Sequence, residues 1–397
     1  MNILVYPNEL KIGGSAINAI DLGGAMRQLG HSVVVYATPG PLAELVERRS
    51  VRLITEAYPP RPRPSPAAMR SLRRIVRSER IDLVHAYEHY ACMESYYAAH
   101  LACGVPMVGT ILSADVEPSM PRSITLTVGT QQLKDQLRRR GEVILLEPPI
   151  DTRENSPAFD GSAFRAEHGL DDGAVNVVIA SRFTRYMKAE GLYRVIDAVA
   201  GLAARLPLRL ILVGYGRCYD DFVERADAIN ADVGRRAVVL TGAMVDPRPA
   251  YAVADITVGM GSSILRGMAF AKPSIVVGEQ GFSEVFGPDT VEMFLRDGFY
   301  GLGDGDTSPA RLARQLEELC GDAARRAELG AFARQVVLDR FDLHRRAAEL
   351  EQTYRALVAR GVRTRDVLPE AAQTAGRILY FDKLKPRVAR RNAAAAR

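Results

Sequence analysis

Residues 255–277 read DITVGMGSSILRGMAFAKPSIVV and contain the unit that predicts the fold. Two short apolar runs, DITV and PSIVV, flank a stretch in which Ile264, Leu265 and Met268 recur at helical spacing. A strand, a turn, a helix and a second strand in this order are typical of a parallel sheet with a crossover helix.

The same pattern of strand and helix recurs earlier in the chain. The runs VNVVIASR, LRLILVGYG and RAVVLTGAM lie directly before this stretch, and NILVYP, HSVVVYA, IDLVHAY and VPMVGTIL lie nearer the N-terminus. Near-continuous apolar runs of this kind predict parallel strands that are covered on both faces. The intervening patterns, such as AINAIDLGGAMRQLG and AMRSLRRIVRSER, predict the covering helices. We therefore expect an α/β fold with doubly wound parallel sheets.

The repetition pauses at LLEPPIDTRENSPAFDGSAFRAEHG, a segment rich in Pro, Asp and Ser. A chain of 397 residues is also too long for one core of ordinary size. We predict two Rossmann-like domains, residues 1–155 and 170–340, that face each other across a cleft. Residues 341–397 are predicted to form helices that return to the first domain, followed by a basic tail. Ligands of such sheets bind at the carboxyl ends of the strands.

Composition excludes several classes of protein. Hydrophobic residues make up 47% and charged residues 25% of the chain, as in soluble globular proteins. The four cysteines form no CxxC pair, which argues against a structural zinc or a disulfide framework and suits a reducing compartment. The N-terminus has no leader pattern, so we expect a cytoplasmic protein. No metal site is expected, because Asp304-Gly-Asp306 is interpreted as a turn rather than as a metal-binding motif.

The net charge of +5 is concentrated at one end of the chain. Residues 361–397 hold nine Lys/Arg and three Asp/Glu, so the rest is nearly neutral and nucleic-acid binding is not expected. The basic tail and an apolar stripe within Met69–Arg80 suggest peripheral membrane contact. The alternative, which we favour, is a helix that covers the domain and exposes its arginines.

Candidate site residues follow the strands directly. In the first domain these are Gly13 and Gly14, whose backbone can approach a ligand at a helix start, and His89, which could orient a hydroxyl group or act as a base. His85 and His89 are both expected to face the cleft, although for His89 a structural histidine is the alternative that we favour.

The second domain offers more candidates. Arg182 and Lys188 could neutralise a diphosphate, and small residues after the next strand leave room for a nucleotide. Ser262 or Ser263 is expected to cap a helix whose backbone N–H groups cradle a phosphate. The candidates of this domain are Arg182, Lys188, Gly214, Gly216, Gly261, Ser262, Ser263, Ile264, Arg266, Glu279, Gln280 and Gly281.

In order, these motifs resemble those of the GT-B-fold glycosyltransferases of family four, over about residues 1–355. The matching pieces are Gly13-Gly14, the Arg182…Lys188 pair, LVGYG, the Y-x-x-A-D motif ending in Asp255, and GMAFAKPSIV. The resemblance implies retaining sugar transfer from a nucleoside diphosphate sugar. It assigns the Gly13–Gly14 loop and the Arg–Lys pair to the donor diphosphate.

Two features depart from that family. Its E-G-F-G-x-P-x-x-E motif would place carboxylates where this chain has Val258 and Arg266. A histidine that is common after the fifth strand is replaced by Thr110-Ile-Leu-Ser113. By resemblance, the lost carboxylates contact the donor sugar and the ribose. We therefore expect either an unusual donor sugar or a sugar that is held by substitutes in the Glu279–Gly281 loop. Arg266 could meet an anionic group or lie on a solvated helix face.

The sequence thus predicts a glycosyltransferase with a nucleotide sugar, GDP- or UDP-linked, as co-substrate and no other cofactor. The acceptor is expected to be a small molecule of secondary-metabolite or glycoconjugate biosynthesis. Two alternatives remain open. One is a pseudo-glycosyltransferase that forms a C–N or C–S bond, and the other is a non-catalytic nucleotide-sugar-binding protein.

Overall fold

The structure is a computed structural model, and it describes residues 1–58, 63–113, 115–170, 173–185, 187–362 and 364–380. The chain divides into two compact units. The first comprises Met1–Glu147 and the chain from His344 onward, and the second comprises Pro148–Leu343. Each has its own sheet and its own core.

Strands and helices alternate through most of the chain. The strands are β1 Asn2–Glu9, β2 Ser32–Thr38, β3 Arg52–Thr55, β4 Leu83–Tyr87, β5 Met107–Ile111, β6 Thr125–Val128, β7 Val143–Leu145, β8 Val175–Ala180, β9 Leu208–Val213, β10 Val238–Gly242, β11 Ile256–Gly259, β12 Ser274–Val277 and β13 Ser283–Val285. The helices are α1 Gly14–Gln28, α2 Ala43–Arg48, α3 Pro66–Ser78, α4 Glu88–Ser95, which continues as a π-helical segment Tyr96–Leu101, α5 Gln131–Gln136, α6 Ser162–His168, α7 Ala189–Ala203, α8 Tyr219–Val233, α9 Arg248–Val253, α10 Ser262–Ala269, α11 Val291–Asp297, α12 Ala310–Gly321, α13 Ala323–Arg340, α14 Leu343–Arg360 and α15 Thr364–Arg377.

The first unit is built on a seven-stranded sheet in the order β3-β2-β1-β4-β5-β6-β7. Every neighbouring pair is parallel. Strands β4 and β5 are buried along their whole length, as their near-continuous apolar sequences predict. All four predicted strands of this half are present, and β3, β6 and β7 are additional to them.

Helix α3 carries the apolar stripe that suggested membrane contact. Its side chains Leu72, Ile75 and Val76 are at most 3% exposed and belong to the core of the first unit. The arginines of α3 lie on the opposite, exposed side. The stripe therefore packs inside the protein, as the favoured interpretation predicts. Residues 381–397 of the basic tail lie outside the described residues. Within the described residues, no helix is both long and apolar enough to cross a bilayer.

Helix α15 packs on the first unit through the π-helical segment. The hydroxyl groups of Tyr96 and Tyr97 donate hydrogen bonds to the carbonyls of Val367 (3.2 Å) and Ala371 (3.1 Å). Val367 and Ala371 are buried in the same core. These contacts hold the C-terminal helix against residues more than 250 positions earlier in the chain.

The second unit has a six-stranded sheet in the order β10-β9-β8-β11-β12-β13. Its first five strands are parallel, and β13 runs antiparallel to β12. The antiparallel edge was not predicted, and it arises because only a short turn, without a crossover helix, joins the two strands. The α/β fold class with two doubly wound parallel sheets is confirmed.

Candidate functional site

Arg182 and Lys188 follow β8 at the carboxyl edge of the second sheet. Arg182 is exposed, and Lys188 is half-buried at the residue before α7. Burial lowers the pKa of Lys188 to about 8, and the positive charge of Arg182 adds to this effect. Neither cation pairs with a carboxylate among the residues that the structure describes. Two neighbouring cations without a counter-charge form a site that favours an anion.

Gly214 and Gly216 follow β9 and pack against the backbone after β8. A Cβ atom on Gly214 would lie 1.9 Å from the carbonyl oxygen of Ser181, and one on Gly216 would lie 2.4 Å from that of Phe183. The sequence predicted that these small residues leave room for a nucleotide. On the side of each glycine where a Cβ would point, the backbone after β8 already fills the space. The two glycines therefore help to position the segment that carries Arg182.

Helix α10 begins at Ser262, with Gly261 rather than a serine as its cap. The prediction of a serine side-chain cap is wrong, because the Ser263 hydroxyl donates to the carbonyl of Met260 at 2.8 Å. The backbone N–H of Gly261 donates to Phe299, and that of Ile264 donates to Gly261. Within the described residues, this leaves the N–H groups of Ser262 and Ser263 available at the start of the helix. Of the four backbone amides proposed to cradle a phosphate, those of residues 261–264, two remain available.

The structure accounts for one of the two missing carboxylates. Val258 lies inside β11 and is 2% exposed in the core. Because only Met260 and Gly261 separate β11 from α10, the chain has no longer loop that could present a carboxylate from this position. Arg266 lies on α10, half-buried and close enough to Tyr251 to influence the hydroxyl group of that residue.

The predicted sugar-binding residues Glu279–Gly281 lie in the loop Gly278–Gly281, which follows β12. A residue that the sequence did not single out holds this loop. The carboxylate of Glu190, in the first turn of α7, accepts the backbone N–H of Gln280 at 2.9 Å and that of Gly281 at 2.7 Å. An acidic residue in the first turn of a helix is common, so its type and position carried no signal of this contact.

Glu279 and Gln280 occupy defined positions in that loop. The half-buried carboxylate of Glu279 accepts a short hydrogen bond from the hydroxyl group of Tyr300. Gln280 is exposed and has a φ of 56°, in the left-handed region. Strained non-glycine residues are frequent at ligand sites. The arrangement keeps Glu279 at the same edge of the sheet as Arg182 and the start of α10.

In the first unit, Gly13 precedes α1 and Gly14 begins it. The first turn of α1 contains no acidic residue. Two buried oxygen atoms of this helix, Ser15 Oγ and Asn18 Oδ1, have no hydrogen-bond partner within the described residues. These features make the start of α1 a place where an anionic or hydroxyl-bearing group can bind.

His89 lines a cavity of about 230 Å³ at the carboxyl ends of β1, β4 and β5. The cavity is also lined by Asn8, Glu88, Asp115 and Glu117, so it is acidic. Asn8 and Glu88 have φ values of 71° and 65°, both in the left-handed region.

Side-chain hydrogen bonds fix the geometry of this cavity. The carboxylate of Glu88 accepts the hydroxyl of Ser113 at 2.7 Å and the backbone N–H of Leu112 at 3.2 Å. His89 Nε2 lies 3.2 Å from the Ser119 hydroxyl. The cavity therefore presents positioned acceptors together with an imidazole.

His85 is not a cavity residue, and the expectation that it faces a ligand is wrong. It is 1% exposed, with Nε2 2.5 Å from the Thr110 hydroxyl and Nδ1 in a short hydrogen bond with the Tyr354 hydroxyl. Burial lowers its pKa to about 3. Its chain position near the end of β4 suggested a site role, but its side chain points into the core of the first unit.

Acidic residues elsewhere form turns. Asp304 and Asp306 accept the backbone N–H groups of Asp306 (3.1 Å) and Ser308 (3.0 Å), so the Asp-Gly-Asp motif closes a turn. Within the described part of the chain, no group of three or more His, Cys, Asp or Glu residues is placed to hold a metal ion.

Comparison with protein families gives two matches. Residues 12–154 match the model for Glycosyltransferase Family 4, and residues 174–322 match that for Glycosyl transferases group 1. Together the two models span most of the chain, one in each unit. No curated protein sequence matches the chain.

Solved structures share the fold at low sequence identity. A glycosyltransferase from Rickettsia africae has 15% identity and a TM-score of 0.69, with 90% of this chain and 98% of that chain covered. HepE from Anabaena in complex with UDP-glucose has 17% identity and a TM-score of 0.69, with 90% and 100% covered. A structure from E. coli, described as trehalose-6-phosphate bound with UDP-2-fluoro glucose, has 12% identity and a TM-score of 0.58, with 89% of this chain and 99% of that chain covered.

Proposed function

Because this chain belongs to the glycosyltransferases, with a Glycosyltransferase Family 4 domain and a Glycosyl transferases group 1 domain in a GT-B fold, we propose that it transfers a sugar from a UDP-sugar to a small acceptor. The observation that carries the proposal is the anion site at the carboxyl edge of the second sheet. There, the uncompensated charges of Arg182 and Lys188 lie at the same edge as the free N–H groups that begin α10.

These groups suit a diphosphate. A guanidinium group binds two phosphate oxygens side by side, and the start of a helix adds backbone donors and a favourable dipole. The half-buried Lys188 supplies a charge whose attraction to an anion is weakly screened. Both cations and the Ser262 and Ser263 amides therefore hold the donor diphosphate.

The same groups stabilise the departing charge. As transfer proceeds, the bond between sugar C1 and the β-phosphate oxygen breaks and a bond from C1 to the acceptor oxygen forms. The proton of the acceptor hydroxyl passes to the departing diphosphate on the same face, so the configuration at C1 is retained. Arg182, Lys188 and the α10 amides stabilise the negative charge that develops on UDP. No protein nucleophile is needed, so the absence of carboxylates at Val258 and Arg266 bears on donor recognition and not on this step.

The choice of UDP is supported by the HepE complexes with UDP and with UDP-glucose, which have the same fold. The sugar is proposed to contact the Gly278–Gly281 loop, where the Tyr300 hydroxyl orients the Glu279 carboxylate. One carboxylate in this loop then performs the sugar recognition for which other family members use the E-G-F-G-x-P-x-x-E motif.

The acceptor is proposed to occupy the acidic cavity of the first unit, beside His89. Carboxylates of Glu88, Asp115 and Glu117 favour a neutral or amine-bearing molecule over an anionic one. An amine acceptor would make this chain a C–N bond-forming transferase, and the acidity of the cavity is the specific observation that keeps this second function open. The proposed biosynthetic role is glycosylation of a small metabolite or of a glycoconjugate.

The donor site is tested by thermal unfolding of the full chain with UDP, GDP, ADP, dTDP and CDP. A nucleotide at a hundred times its Kd stabilises by about 2.7 kcal/mol, which raises the melting temperature by roughly 5–10 °C for a protein of this size. We expect such a shift for UDP. Release of UDP from UDP-glucose, with and without hydroxyl and amine acceptors, then tests turnover.

A matched pair of variants gives the control. Arg182 and Arg325 are both exposed arginines of the second unit. Arg182→Ala is expected to abolish most of the UDP shift, whereas Arg325→Ala should retain it. If no nucleotide stabilises the protein, the transferase proposal fails. Binding without turnover would instead favour a non-catalytic nucleotide-sugar-binding protein.

A further inference from the structure

A second cavity in the first unit is lined mainly by arginines. It has a volume of about 360 Å³ and is formed by Arg122, Leu137, Arg138, Arg139, Arg140, Gln373 and Arg377. We refer to these seven residues as the arginine cavity. The volume lies within the range of small-molecule sites. Its walls come from the segment before β6, the loop between α5 and β7, and helix α15.

The arginine cavity lies at the opposite edge of the sheet from the acidic cavity. Arg122 precedes β6, and the loop 137–140 precedes β7, so the arginines stand at the amino ends of these strands. His89 and its neighbours follow the carboxyl ends of β4 and β5. Because all seven strands are parallel, their amino ends and carboxyl ends lie at opposite edges of the sheet. The length of the strands therefore separates the two cavities. The arginine cavity is therefore not part of the proposed acceptor site.

The positive charge of the cavity is largely uncompensated. Of the five arginines, Arg140 alone forms an ion pair within the described residues, with Glu370 at 3.3 Å. The 1%-exposed carboxylate of Glu370 is further occupied by the backbone N–H groups of Arg122 (2.7 Å) and Ser123 (3.1 Å) and by the Ser123 hydroxyl. The one carboxylate that pairs with a cavity arginine is thus already engaged by several other donors.

Two buried N–H donors in the cavity lack acceptors. Arg139 Nε and Arg377 Nη1 are shielded from solvent and have no hydrogen-bond partner in the described part of the protein. Arg139 uses its Nη2 group on the carbonyls of Pro121 and Ile124. Burial, and to a smaller extent the charge of Arg122, lowers the pKa of Arg139 to about 10. Buried donors are normally satisfied, so these two arginines keep hydrogen-bonding capacity that the described part of the protein does not use.

We propose that the arginine cavity is an anion-binding site for a phosphate group, separate from the acidic cavity of the same unit. Several forked guanidinium donors around one space match the tetrahedral, multiply charged oxygens of a phosphate group. A phosphate there would reduce the repulsion among the five arginines. The phosphate can be free or can belong to a lipid headgroup, since both present the same oxygens.

The test uses the full chain with inorganic phosphate as the probe, at constant ionic strength set by sodium chloride. Binding is measured by titration calorimetry and by thermal unfolding. Arg138→Gln with Arg377→Gln removes two cavity arginines and leaves Arg139, which also supports the backbone. We expect this double variant to bind the probe at least tenfold more weakly than the unmodified chain, because a charge-assisted hydrogen bond lost corresponds to about one factor of ten or more.

The matched control is Arg70→Gln with Arg73→Gln. These two arginines are exposed on α3 of the same unit, and the control removes the same charge. Phosphate affinity should be unchanged in the control. A second cavity variant, Arg138→Lys with Arg377→Lys, keeps the charge but not the forked donors, and is expected to bind with intermediate affinity. Circular dichroism and melting in chloride establish that each variant is folded.

A third arm separates the two sources of phosphate. Sedimentation with phosphatidylglycerol vesicles, and with uncharged phosphatidylcholine vesicles as a blank, reports headgroup binding. Loss of phosphate binding in the glutamine cavity variant, but not in the control, supports a free phosphate ligand. Loss of vesicle binding in that variant alone supports a headgroup. If neither probe nor vesicle distinguishes the cavity variant from the α3 control, the arginines act only as general surface charge and the proposal is overturned.

Discussion

The carboxylate of Glu190 accepts the backbone N–H of Gly281 at 2.7 Å, across 91 positions of sequence. Together with its bond to Gln280, this contact joins the first turn of α7 to the loop after β12. Lys188 lies two residues before Glu190, so the diphosphate and sugar elements of the proposed donor site are connected through one short segment. Disturbing Glu190 should therefore affect both stability and donor binding.

Glu190→Ala removes the acceptor for both amides. We expect a loss of about 2 kcal/mol in the free energy of unfolding, since hydrogen bonds to a charged group contribute about 1.5–3 kcal/mol. The affinity for UDP-glucose should fall as well. Urea unfolding and titration calorimetry measure these effects. Glu224→Ala, at an exposed position of α8, is the control and should change stability by less than about 0.5 kcal/mol. Equal stability of the two variants would contradict the role given to Glu190.

Binding of UDP should weaken as the pH rises above about 8. The pKa of Lys188 is lowered to about 8 in the free protein, so the lysine loses its charge above this pH. A bound diphosphate favours the protonated form, and binding therefore takes up a proton in this range. The affinity should fall by up to about tenfold between pH 7 and pH 9. Calorimetry in buffers of different ionisation enthalpy measures both quantities.

Lys188→Arg is the control for this pH dependence, because a guanidinium group stays protonated throughout the range. The variant should bind UDP with an affinity that is nearly constant from pH 7 to pH 9. A decline as steep as that of the unmodified chain would assign the titration to another group.

The free N–H of Ser262 can be removed without disturbing α10. Proline is well tolerated at the first position of a helix, where its missing N–H has no intrahelical acceptor. Ser262→Pro should therefore leave the melting temperature almost unchanged and weaken UDP binding by roughly tenfold. Ser262→Ala keeps the N–H and should bind UDP normally. If the proline and alanine variants bind alike, the diphosphate does not use this amide.

Glu279 is proposed to contact the sugar and not the nucleotide. Glu279→Ala should reduce the affinity for UDP-glucose by about tenfold while that for UDP is unchanged, because one hydrogen bond from a charged acceptor is lost. Competition binding with both ligands measures the difference. Tyr300→Phe, which removes only the hydroxyl that orients this carboxylate, should have a smaller effect in the same direction. Unchanged UDP-glucose affinity in Glu279→Ala would show that the carboxylate does not substitute for the lost motif.

The buried His85 should make the protein sensitive to acid. Its pKa is about 3 in the folded protein and about 6.5 in an unfolded chain, so the unfolded state gains the proton first as the pH falls. The stabilisation is complete above pH 6.5 and is lost between pH 6.5 and pH 3. It should amount to about 2 kcal/mol lost between pH 7 and pH 5. Urea unfolding of His85→Asn should show a smaller pH dependence, whatever its absolute stability.

Much of the fold could be predicted from the sequence. Strands such as β4 and β5 are buried on both faces, so their sequences are continuous apolar runs that can be recognised without tertiary information. The four-residue β3 and β6 are short and partly polar, which explains why they were missed. The antiparallel β13 was missed because its direction depends on a turn and not on the pattern of its three residues.

The sequence by itself determined the two-unit α/β architecture, the family, and the places along the chain where ligand-binding loops follow the strands. Local patterns contain this information, because hydrophobic periodicity and turn residues act over a few positions. Only the tertiary structure decided that His85 is buried, that Val258 is a core residue and that Glu190 holds the Gly281 loop. It also decided that Arg377 joins Arg138 around one cavity. Such contacts join residues up to several hundred positions apart, and the packing of complete units selects them among many that the sequence permits.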